Sequence, residues 1–567
     1  MPLSNVSSSM LPRVFSVASW LLMMGGIASV GCQGGGSSSP LVGASGGAGG
    51  TGSGGKAAGS GDVDGVAAGG GGSGGAGAKP AASGGAPGAG GAPPAASGGA
   101  PAAAGGASAA ASPPSPAPTN EYSVAGFARA ATGGGVISES DPGYFKVTTA
   151  DELVAALGHK TVKVIEIMND LDLGWNEIPP SAQTGALRED EAPMLHPVLL
   201  ASGVSIIDVA AHDGLTIFSL GGATIRHAHL NIKRSSNLVI RNLRFDELWE
   251  WDEASKGNYD KLGWDFITID MASRTVWIDH CTFTKAYDGV VDVKGGSSDV
   301  TISWSAFLAD DGGPASFVRQ QIAALEANPA GAPMYGFLRA NGFGVDDIVD
   351  IARSQKKGHL IGALELDPTN ADLTVTLHHD WYKNMQDRVP RLRAGNAHAY
   401  NLLVDDAEAR TARLRRDAIV AAMAPAAAAK LDGASPTYHF TVTLNGAIST
   451  EGGAVLLEKS KLSGVASRIR NNQVDATMPD YTGKIEALDV ITILDGVTFR
   501  GGSDDPGSPL SPVPAPVLPF AWNGFSQLPY ATSPDDPDTL SDRLPGPTGA
   551  GAGKLTWDRT HWLTTSY

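Results

Sequence analysis

The stretch that decides the fold is SRTVWIDHCTF at residues 273–283, together with its two copies, SSNLVIRNLRF at 235–245 and SSDVTISWSAF at 297–307. Each copy begins with a small polar residue, carries an apolar-x-Ile core and ends in phenylalanine. Alternation of apolar and polar residues with a period of two is typical of a half-buried β-strand. The three copies therefore predict one strand-containing unit that repeats along the chain.

The spacing of the copies favours a solenoid. The second and third copies begin 24 residues apart, and a looser copy, ADLTVTLHHDWY, follows at 371–382. A repeat of this length suits one coil of a parallel β-helix, in which each coil stacks its strands on those of the coil before. The rival is a β-sandwich, but its hairpins need tight Asn-Gly-type turns, whereas these copies run in the same sense with longer connections. We expect an all-β parallel β-helix with a groove along its length.

Composition divides the chain into three regions. Residues 1–32 have the character of an export signal: Arg13, an apolar run and then Cys32, which would become the lipidated first residue of a bacterial lipoprotein. Simple secretion is the alternative, because Ser29 stands where such signals usually carry leucine. Residues 33–119 are almost wholly Gly, Ala, Ser and Pro, which predicts a disordered tether. Residues 120–567 then form the folded domain, secreted or held at the cell surface as an outer-membrane lipoprotein.

Charge and cysteine content restrict the partners and the means of stabilisation. The formal net charge of −17 argues against nucleic-acid binding, although a local basic cluster would still allow a groove to bind a polyanion. After Cys32 the only cysteine is Cys281, so the domain has no internal disulfide. We expect Cys281 to be a packing residue on an apolar strand face.

Three aspartates are candidate metal ligands. Asp288 and Asp292 are four residues apart, so on a straight strand they would lie roughly 13 Å from each other. Gly289 permits a bend that would bring them together. With Asp265 from the preceding coil, they would form a set of hard oxygen ligands that suits Ca²⁺. The alternative is that each aspartate caps a turn or is solvated.

A basic cluster follows in DRVPRLRAGNAHAYN. In an extended segment Arg391 and Arg393 point the same way, and Arg388 faces the other way unless the chain turns at Pro390. Planar guanidinium groups suit the bidentate binding of carboxylates. Solvated surface arginines are the alternative interpretation.

From about residue 124 to residue 554 the sequence resembles the pectate lyases of polysaccharide lyase family 1. The stretches that carry the resemblance include GFARAATGGG, VTTADELVAAL, WDFITIDMASRTVWIDHCTF, YDGVVDVKGGSSDVTISWSAF, KKGHLIG, VTLHHDWYKNMQDRVPRLRAGNAHAYN and YATSPDD. The resemblance implies a right-handed parallel β-helix. It also implies calcium-dependent β-elimination of α-1,4-polygalacturonate to 4,5-unsaturated oligogalacturonates by a monomeric extracellular enzyme.

The resemblance assigns roles to individual residues. It makes Asp265, Asp288 and Asp292 calcium ligands. It makes Arg388 the group that takes the C5 proton and Arg393 the group that binds the substrate carboxylate. Lys357 matches the family's substrate-binding lysine, with Lys356 as the adjacent alternative; Arg391 has no assigned role.

Two features depart from the family pattern. Residues near 308–356 and 405–432 form long insertions, and VRQQIAALEA and VDDIVDIARSQ within the first are predicted to be helical. The first insertion ends just before Lys357, so we expect it to flank the groove and to shape substrate length preference or block binding.

Other readings of the sequence remain open. A pectin lyase acting on methyl-esterified polymer is one rival, although a neutral ester does not require calcium. A non-catalytic, surface-displayed carbohydrate-binding β-helix is the other. His378 and His379 are adjacent on a predicted strand, so we expect their rings to point in opposite directions and not to chelate one metal together.

Overall fold

The computed structural model describes residues 119–191, 197–471 and 479–567. The predicted export signal and nearly all of the predicted tether lie outside these residues. Among the helices of the described ranges, none combines the length and the apolar character that crossing a bilayer requires.

Within the described residues the chain forms 29 strands, numbered in chain order. They are β1 (Tyr144–Val147), β2 (Val164–Ile167), β3 (Leu171–Asp172), β4 (Leu187–Glu189), β5 (Ser205–Ala210), β6 (Asp213–Phe218), β7 (Thr224–Arg226), β8 (Ala228–Lys233), β9 (Ser236–Arg241), β10 (Arg244–Asp246), β11 (Ile267–Asp270), β12 (Arg274–Asp279), β13 (Thr282–Thr284), β14 (Val291–Val293), β15 (Ser298–Ser303), β16 (Ala306–Leu308), β17 (Leu360–Ile361), β18 (Thr374–His378), β19 (Trp381–Lys383), β20 (Arg391–Arg393), β21 (Asn396–Tyr400), β22 (Leu403–Asp405), β23 (Asn445–Thr450), β24 (Ala454–Glu458), β25 (Lys461–Ser463), β26 (Ser467–Asn471), β27 (Lys484–Leu488), β28 (Val490–Leu494) and β29 (Val497–Gly501).

The same residues form nine α-helices and five short 3₁₀ turns. The helices are α1 (Ala150–Gly158), α2 (Pro197–Ser202), α3 (Phe317–Ala327), α4 (Pro333–Ala340), α5 (Val345–Ala352), α6 (Ala407–Ala421), α7 (Pro425–Asp432), α8 (Leu540–Arg543) and α9 (Arg559–Leu563). The 3₁₀ turns are Asn120–Tyr122, Pro329–Gly331, Pro368–Asp372, Pro479–Tyr481 and Pro537–Thr539.

The strands build three long sheets that run side by side along a solenoid. The first sheet has the order β1-β2-β6-β9-β12-β15-β18-β21-β24-β27, the second β29-β28-β25-β22-β19-β16-β13-β10-β7-β3, and the third β26-β23-β20-β17-β14-β11-β8-β5-β4. Within the described strands, every pairing is parallel except β4 with β5 and β28 with β29. Each coil thus contributes one strand to each sheet, and the predicted parallel β-helix is confirmed.

The three copies of the repeat occupy equivalent places on successive coils. Their first halves form β9, β12 and β15, in which Val276 pairs in register with Leu238 and Val300. All three side chains are fully buried and fill the interior between the sheets. The period-two pattern therefore marks the side of each strand that faces the core.

The phenylalanine that ends each copy continues this stacking in the second sheet. The rings of Phe245 and Phe283 lie 5.1 Å apart, Phe283 and Phe307 also 5.1 Å apart, and Phe307 and Tyr382 4.7 Å apart, all close to parallel. Tyr382 comes from the looser fourth copy. Because stacked aromatic rings bury large apolar surfaces, this ladder stabilises the alignment of four coils. Cys281 is also buried in the core, and burial raises the pKa of its thiol to about 12.

Helix α1 covers the first coil. Thr149 is its N-cap and accepts a hydrogen bond from the Glu152 amide, while Leu153 and Leu157 are buried. An N-cap hydroxyl satisfies an amide that has no partner within the helix. The helix predicted from TTADELVAALG is therefore present at the end of the solenoid.

The two insertions are helical and pack against each other. The first contains α3, α4 and α5, and the second contains α6 and α7. Helix α5 contacts α6 through Asp347, which pairs with Arg415 at 2.9 Å, and Glu408 of α6 pairs with Arg353 at 2.8 Å. Two excursions that leave the solenoid on different coils thus form one helical layer beside it.

Candidate active site

The candidate site lies on the outer face of the third sheet and on the turns that lead into its strands. Thr268 of β11, Asp292 of β14, Leu360 of β17 and Arg391 of β20 stand in one row across the sheet. Asp265, Asp288, Lys357 and Arg388 lie on the turns just before those strands. The solenoid thus gathers residues that are more than a hundred positions apart in the sequence.

Two of the three predicted metal ligands converge. An Asp265 carboxylate oxygen, Oδ1, accepts a hydrogen bond from the Gly289 amide at 2.8 Å, and Oδ1 of Asp292 accepts one from the Leu360 amide at 2.9 Å. A Cβ atom placed on Gly289 would meet both carboxylates at under 3 Å. Gly289 is therefore the residue whose lack of a side chain leaves room for the two carboxylates to face each other.

Asp288 takes a different direction. Strand β14 begins only at Val291, so Asp288 lies on the preceding turn and does not share a strand face with Asp292. Its Oδ1 atom is 2.8 Å from Nζ of Lys357. Among the described residues no group of three His, Cys, Asp or Glu side chains is gathered in an arrangement that would hold a metal ion. The structure thus brings Asp265 and Asp292 together and pairs Asp288 with a lysine.

The two converging carboxylates are buried and carry like charge. Asp265 is 1% exposed and Asp292 is 4% exposed. Burial, and then the neighbouring charge of Asp288, raise the pKa of Asp265. Burial, and then the charge of Asp265, raise the pKa of Asp292 well above its usual range, although Lys294 opposes this. Two desolvated carboxylates side by side disfavour their own ionisation, and an added cation would reverse that effect.

The donor set fits calcium. Asp265, Asp288 and Asp292 offer only carboxylate oxygens, which are the ligands that a hard cation such as Ca²⁺ takes in proteins. A cation beside Asp265 and Asp292 would neutralise charge that Lys294 compensates only in part. For Asp288 to join them, its carboxylate would exchange Lys357 for the ion.

Lys357 and Lys356 are adjacent but face different surroundings. Lys357 contacts Asp288 and the backbone carbonyl of Tyr259. Lys356 donates to the carbonyls of Gly257 and His439, and its burial lowers its pKa to about 7. Of the two lysines considered from the sequence, Lys357 is the one beside the candidate metal ligands.

Arg388 reaches the same carboxylate from the next coil. Its backbone φ is +66°, in the left-handed region that a non-glycine residue rarely adopts. The chain thus turns just before Pro390. Such a turn is the condition under which Arg388 can share a face with Arg391 and Arg393. The Nη1 atom of Arg388 lies 3.8 Å from Oδ1 of Asp288, so Arg388, Asp288 and Lys357 form one charged cluster.

Arg393 makes a different set of contacts from those of this cluster. Its Nη1 atom donates to the carbonyls of Gly362 and Ala363 at 2.8 and 2.7 Å, and its Nη2 atom donates to Glu365 at 3.3 Å. Its Nε atom lies 3.5 Å from Glu451. Arg393 is only 6% exposed, and this burial lowers the pKa of its guanidinium. Arg393 thus uses its two Nη atoms on acceptors of its own chain, whereas its buried Nε makes no hydrogen bond. Sequence reasoning did not identify Glu365 or Glu451 because neither belongs to a recognisable motif.

The geometry of the two adjacent histidines differs from the prediction. The Nδ1 atoms of His378 and His379 lie 3.0 Å apart, so their rings do not point in opposite directions. Strand β18 ends at His378, and His379 has a φ of +55°. The alternation of side chains therefore stops between the two residues, and the prediction of opposed rings is wrong.

Comparison with known proteins agrees with this architecture. The family model described as "Pectate lyase" matches residues 115–313 and 349–477. Pectate lyase B of Paenibacillus amylolyticus is 56% identical over 349 residues, which cover 61% of this chain and 87% of that protein. The solved structure of the pectate lyase pelN from Paenibacillus sp. 0602 is 55% identical, with a TM-score of 0.75, and the match covers 79% of this chain and all of that one. With these matches, and with a parallel β-helix that carries the acidic and basic cluster described above, the chain belongs to the pectate lyase family.

Proposed function

We propose that this protein cleaves pectate, the α-1,4-linked polymer of galacturonate, by calcium-dependent β-elimination. The observation that carries the proposal is the pair of buried carboxylates of Asp265 and Asp292, whose charge is only partly compensated, beside the cluster of Asp288, Lys357 and Arg388. A polyanionic substrate needs positive charge in the groove, and the net charge of the chain does not supply it. A bound cation and these basic side chains together would supply it.

Asp265, Asp288 and Asp292 would hold the calcium ion. When bound there, the ion would supply a positive charge that polarises the uronate carboxylate and so acidifies the neighbouring C5–H bond. Lys357, which is 2.8 Å from Asp288, would donate to the same carboxylate and so fix the orientation of the sugar ring. These roles follow from the family resemblance and from the contacts of the side chains.

Arg388 would act at the reacting atoms. The C5 proton leaves to a base, the electrons of the C5–H bond form the C4=C5 double bond, and the C4–O4 bond breaks. The departing chain keeps the oxygen and gains a proton. Arg388 lies on the coil after that of Lys357, and its Nη1 atom is 3.8 Å from Oδ1 of Asp288, so its guanidinium lies beside the candidate metal ligands. We assign it the proton transfer at C5, a step in which its guanidine group must be in the neutral form that can accept a proton.

Arg393 would bind a substrate carboxylate only after an exchange of partners. Glu365 lies 3.3 Å from Nη2 of Arg393, on a carboxylate that is partly exposed. An incoming uronate carboxylate would take the place of Glu365 at this atom. The two carbonyl acceptors on Nη1 would keep the guanidinium in position during the exchange.

The two rival functions are less well supported. A pectin lyase binds a neutral ester and has no need for buried carboxylates with raised pKa values. A non-catalytic binding module has no need for Arg388 in a left-handed backbone conformation beside Asp288. The acidic cluster and the arginine together favour the calcium-dependent lyase.

The test follows the ultraviolet absorbance of the unsaturated product formed from polygalacturonate. We expect absorbance to rise with calcium, to stop with a chelator and to return when calcium is restored. Product formation from highly methyl-esterified pectin that persists in the chelator would support the pectin lyase. Polymer binding without product from either substrate would support the binding module.

We further propose that the protein is exported and works as a monomer on pectate outside the cell. The basis of this proposal is the export signal predicted at residues 1–32, with predicted lipidation at Cys32, and the tether predicted at 33–119. Apart from Thr119 these residues lie outside the described ranges. Fractionation of cells that express the full chain tests it, because a lipoprotein stays with the membrane and a Cys32→Ala variant would not.

A further inference from the structure

Gln355 lies where the first helical insertion rejoins the solenoid. It follows the end of α5 by three residues and precedes Lys357 by two. Its side chain is completely buried and uses its whole amide. Oε1 accepts a hydrogen bond from the Ala286 amide at 2.8 Å, and Nε2 donates to the carbonyls of Asp288 and Lys357, each at 2.8 Å.

The neighbours of this amide determine its orientation. One backbone N–H and two backbone carbonyls surround it, so the oxygen must face Ala286 and the nitrogen must face the two carbonyls. The flipped orientation would place an N–H against an N–H and an oxygen against two oxygens. The three hydrogen bonds are therefore a single mutually consistent arrangement.

The backbone of Gln355 extends the same connection to a third coil. Its N–H donates to the Asn384 carbonyl at 3.0 Å, and its carbonyl accepts from the Gln386 amide at 2.8 Å. The segment that begins at Gln386 leads directly to Arg388. Gln355 thus touches, through side chain or backbone, the turns that carry Asp288, Lys357 and Arg388.

We infer that Gln355 is a positioning residue for the metal and substrate site. The inference rests on the proposed function and extends it to a residue that touches neither substrate nor ion. Its amide holds the backbone of Asp288 and Lys357 at a set distance, and their charged ends lie 2.8 Å apart. The buried amide of Gln355 thus links the turn that carries a proposed metal-ligand carboxylate to the turn that carries a proposed substrate-binding ammonium.

Attachment of the insertion does not depend on Gln355 alone. The neighbouring Ser354 carbonyl accepts a hydrogen bond from the buried Nζ of Lys285 at 2.8 Å. This bond holds the same junction against the coil of Ala286. The two Nε2 hydrogen bonds of Gln355 are different, because both end on residues of the site itself.

The test compares two amide-to-carboxylate substitutions in the full chain. Gln355→Glu keeps the acceptor for Ala286 and replaces the donor with an oxygen that faces two carbonyls. Asn401→Asp is the matched control: Asn401 is also fully buried, and its Nδ2 atom donates to the carbonyls of Lys459 and Asp535 at 2.9 and 3.0 Å, on a different turn of the solenoid. Each protein is stripped with a chelator, and its calcium affinity is measured by titration calorimetry. Tm, kcat and KM on polygalacturonate are measured alongside.

We expect Gln355→Glu to lower calcium affinity by about 10- to 100-fold and kcat by a similar factor, with a smaller change in KM. Asn401→Asp should lower Tm to a comparable extent and change calcium affinity by less than about twofold. Wild-type calcium affinity and kcat in Gln355→Glu would overturn the inference. So would an equal loss of calcium affinity in Asn401→Asp.

A second variant and the activity of the wild-type protein complete the test. If Gln355→Glu does not fold, Gln355→Met preserves the length and volume of the side chain without its hydrogen bonds, and wild-type calcium affinity in that variant would overturn the inference. If the wild-type protein binds calcium but releases no unsaturated product, the proposed function fails. The calorimetric comparison of Gln355 with Asn401 still stands in that case.

Discussion

Two clusters of buried carboxylates lie within one short stretch of sequence, and they differ in how far neighbouring positive charges balance the carboxylates. In the first, Asp279 of the WIDH motif accepts hydrogen bonds from Arg241 at 2.9 Å, His280 at 2.8 Å and Ser303 at 2.8 Å. In the second, Asp265 and Asp292 face each other and accept hydrogen bonds from uncharged donors. The positive charge of Lys294 opposes the effect of burial and like charge on both carboxylates but does not outweigh it. Asp265, Asp279 and Asp292 are all deeply buried, so burial alone does not distinguish the clusters.

Compensation distinguishes them. Burial by itself raises the pKa of Asp279, but His280 and Arg241 outweigh it and lower that pKa to about 2. Burial and like charge both raise the pKa of Asp265 and Asp292. The compensated cluster, with Arg241 also bound to carbonyls of the C-terminal segment, stabilises the fold. The cluster of Asp265 and Asp292, whose charge is only partly compensated, costs stability on its own and is suited to binding a cation.

The largest expected effect separates function from stability within the second cluster. Arg388→Lys removes the guanidinium proposed to act at C5 and keeps a positive charge, so kcat should fall by about 1,000-fold while Tm stays close to that of wild type. Arg391→Lys, on the adjacent strand, is the matched control and should keep most of the activity. Steady-state kinetics and a thermal melt measure both quantities. A kcat for Arg388→Lys near that of wild type would remove Arg388 from the proposed reaction.

The second prediction addresses the compensated cluster. Arg241→Met leaves the buried Asp279 without its cation, and we expect a loss of about 3 to 5 kcal/mol in the free energy of unfolding, because an unpaired buried charge is costly. The specific activity of the folded fraction should not change. Urea unfolding measures the loss, with Arg415→Met, at an exposed ion pair, as the control that should be nearly neutral. A small loss of stability in Arg241→Met would show that Arg241 is not needed to compensate the buried charge of Asp279.

The third prediction concerns Asp292→Asn, which keeps an oxygen acceptor for Leu360 and removes a charge. In a chelator the variant should be at least as stable as wild type, because it relieves repulsion with Asp265. At a calcium concentration about 100-fold above its dissociation constant, wild type should gain about 2.7 kcal/mol and the variant much less. Thermal melts with and without calcium give both numbers. Asp279→Asn should instead lose stability in both conditions, and similar behaviour of the two variants would contradict the comparison.

The smallest effect is the pH dependence of the compensated cluster. Because the folded pKa of Asp279, about 2, lies below its ordinary value of 3.8, this carboxylate contributes stability that is present above about pH 4 and is lost as the pH falls towards 2. The contribution is on the order of 2 kcal/mol. Urea unfolding of wild type and Asp279→Asn from pH 5 to 2, in a chelator, should show the stability difference shrinking by that amount. Parallel curves would rule out the assigned pKa.

Much of this architecture follows from local patterns. The three copies that end in Phe245, Phe283 and Phe307 predict stacked coils, since identical positions in a repeat must meet identical neighbours. The structure has that stacking. Residue type and spacing indicate the three aspartates and the arginines, and the family resemblance adds Lys357 and assigns the individual roles. The structure brings Asp265 close to Asp292 and brings Asp288, Lys357 and Arg388 into one ionic cluster. Their roles as ligands, base and substrate contacts remain predictions.

Other features depend on contacts between neighbouring coils whose residues belong to no repeat, and no local pattern predicts them. Glu365 and Glu451 surround Arg393, but they come from different turns and belong to no repeat. In the sequence Gln355 is an ordinary polar residue at the end of a helical insertion. Only its buried position in the folded protein lets its side chain donate hydrogen bonds to the carbonyls of both Asp288 and Lys357. The contact of α5 with α6 likewise depends on where each excursion leaves the solenoid.

Short stretches of the chain are sufficient to predict the repeating unit, the parallel β-helix and the family, because a period-two apolar pattern repeated at coil length and a set of specific motifs are local properties. Which buried charges are neutralised depends instead on the folded arrangement of the coils. Asp279 meets Arg241 from the preceding coil and Ser303 from the next, whereas Asp265 meets another carboxylate across Gly289. The electrostatic energy of a buried charge depends on which groups surround it in space, and stacking of the coils sets those neighbours.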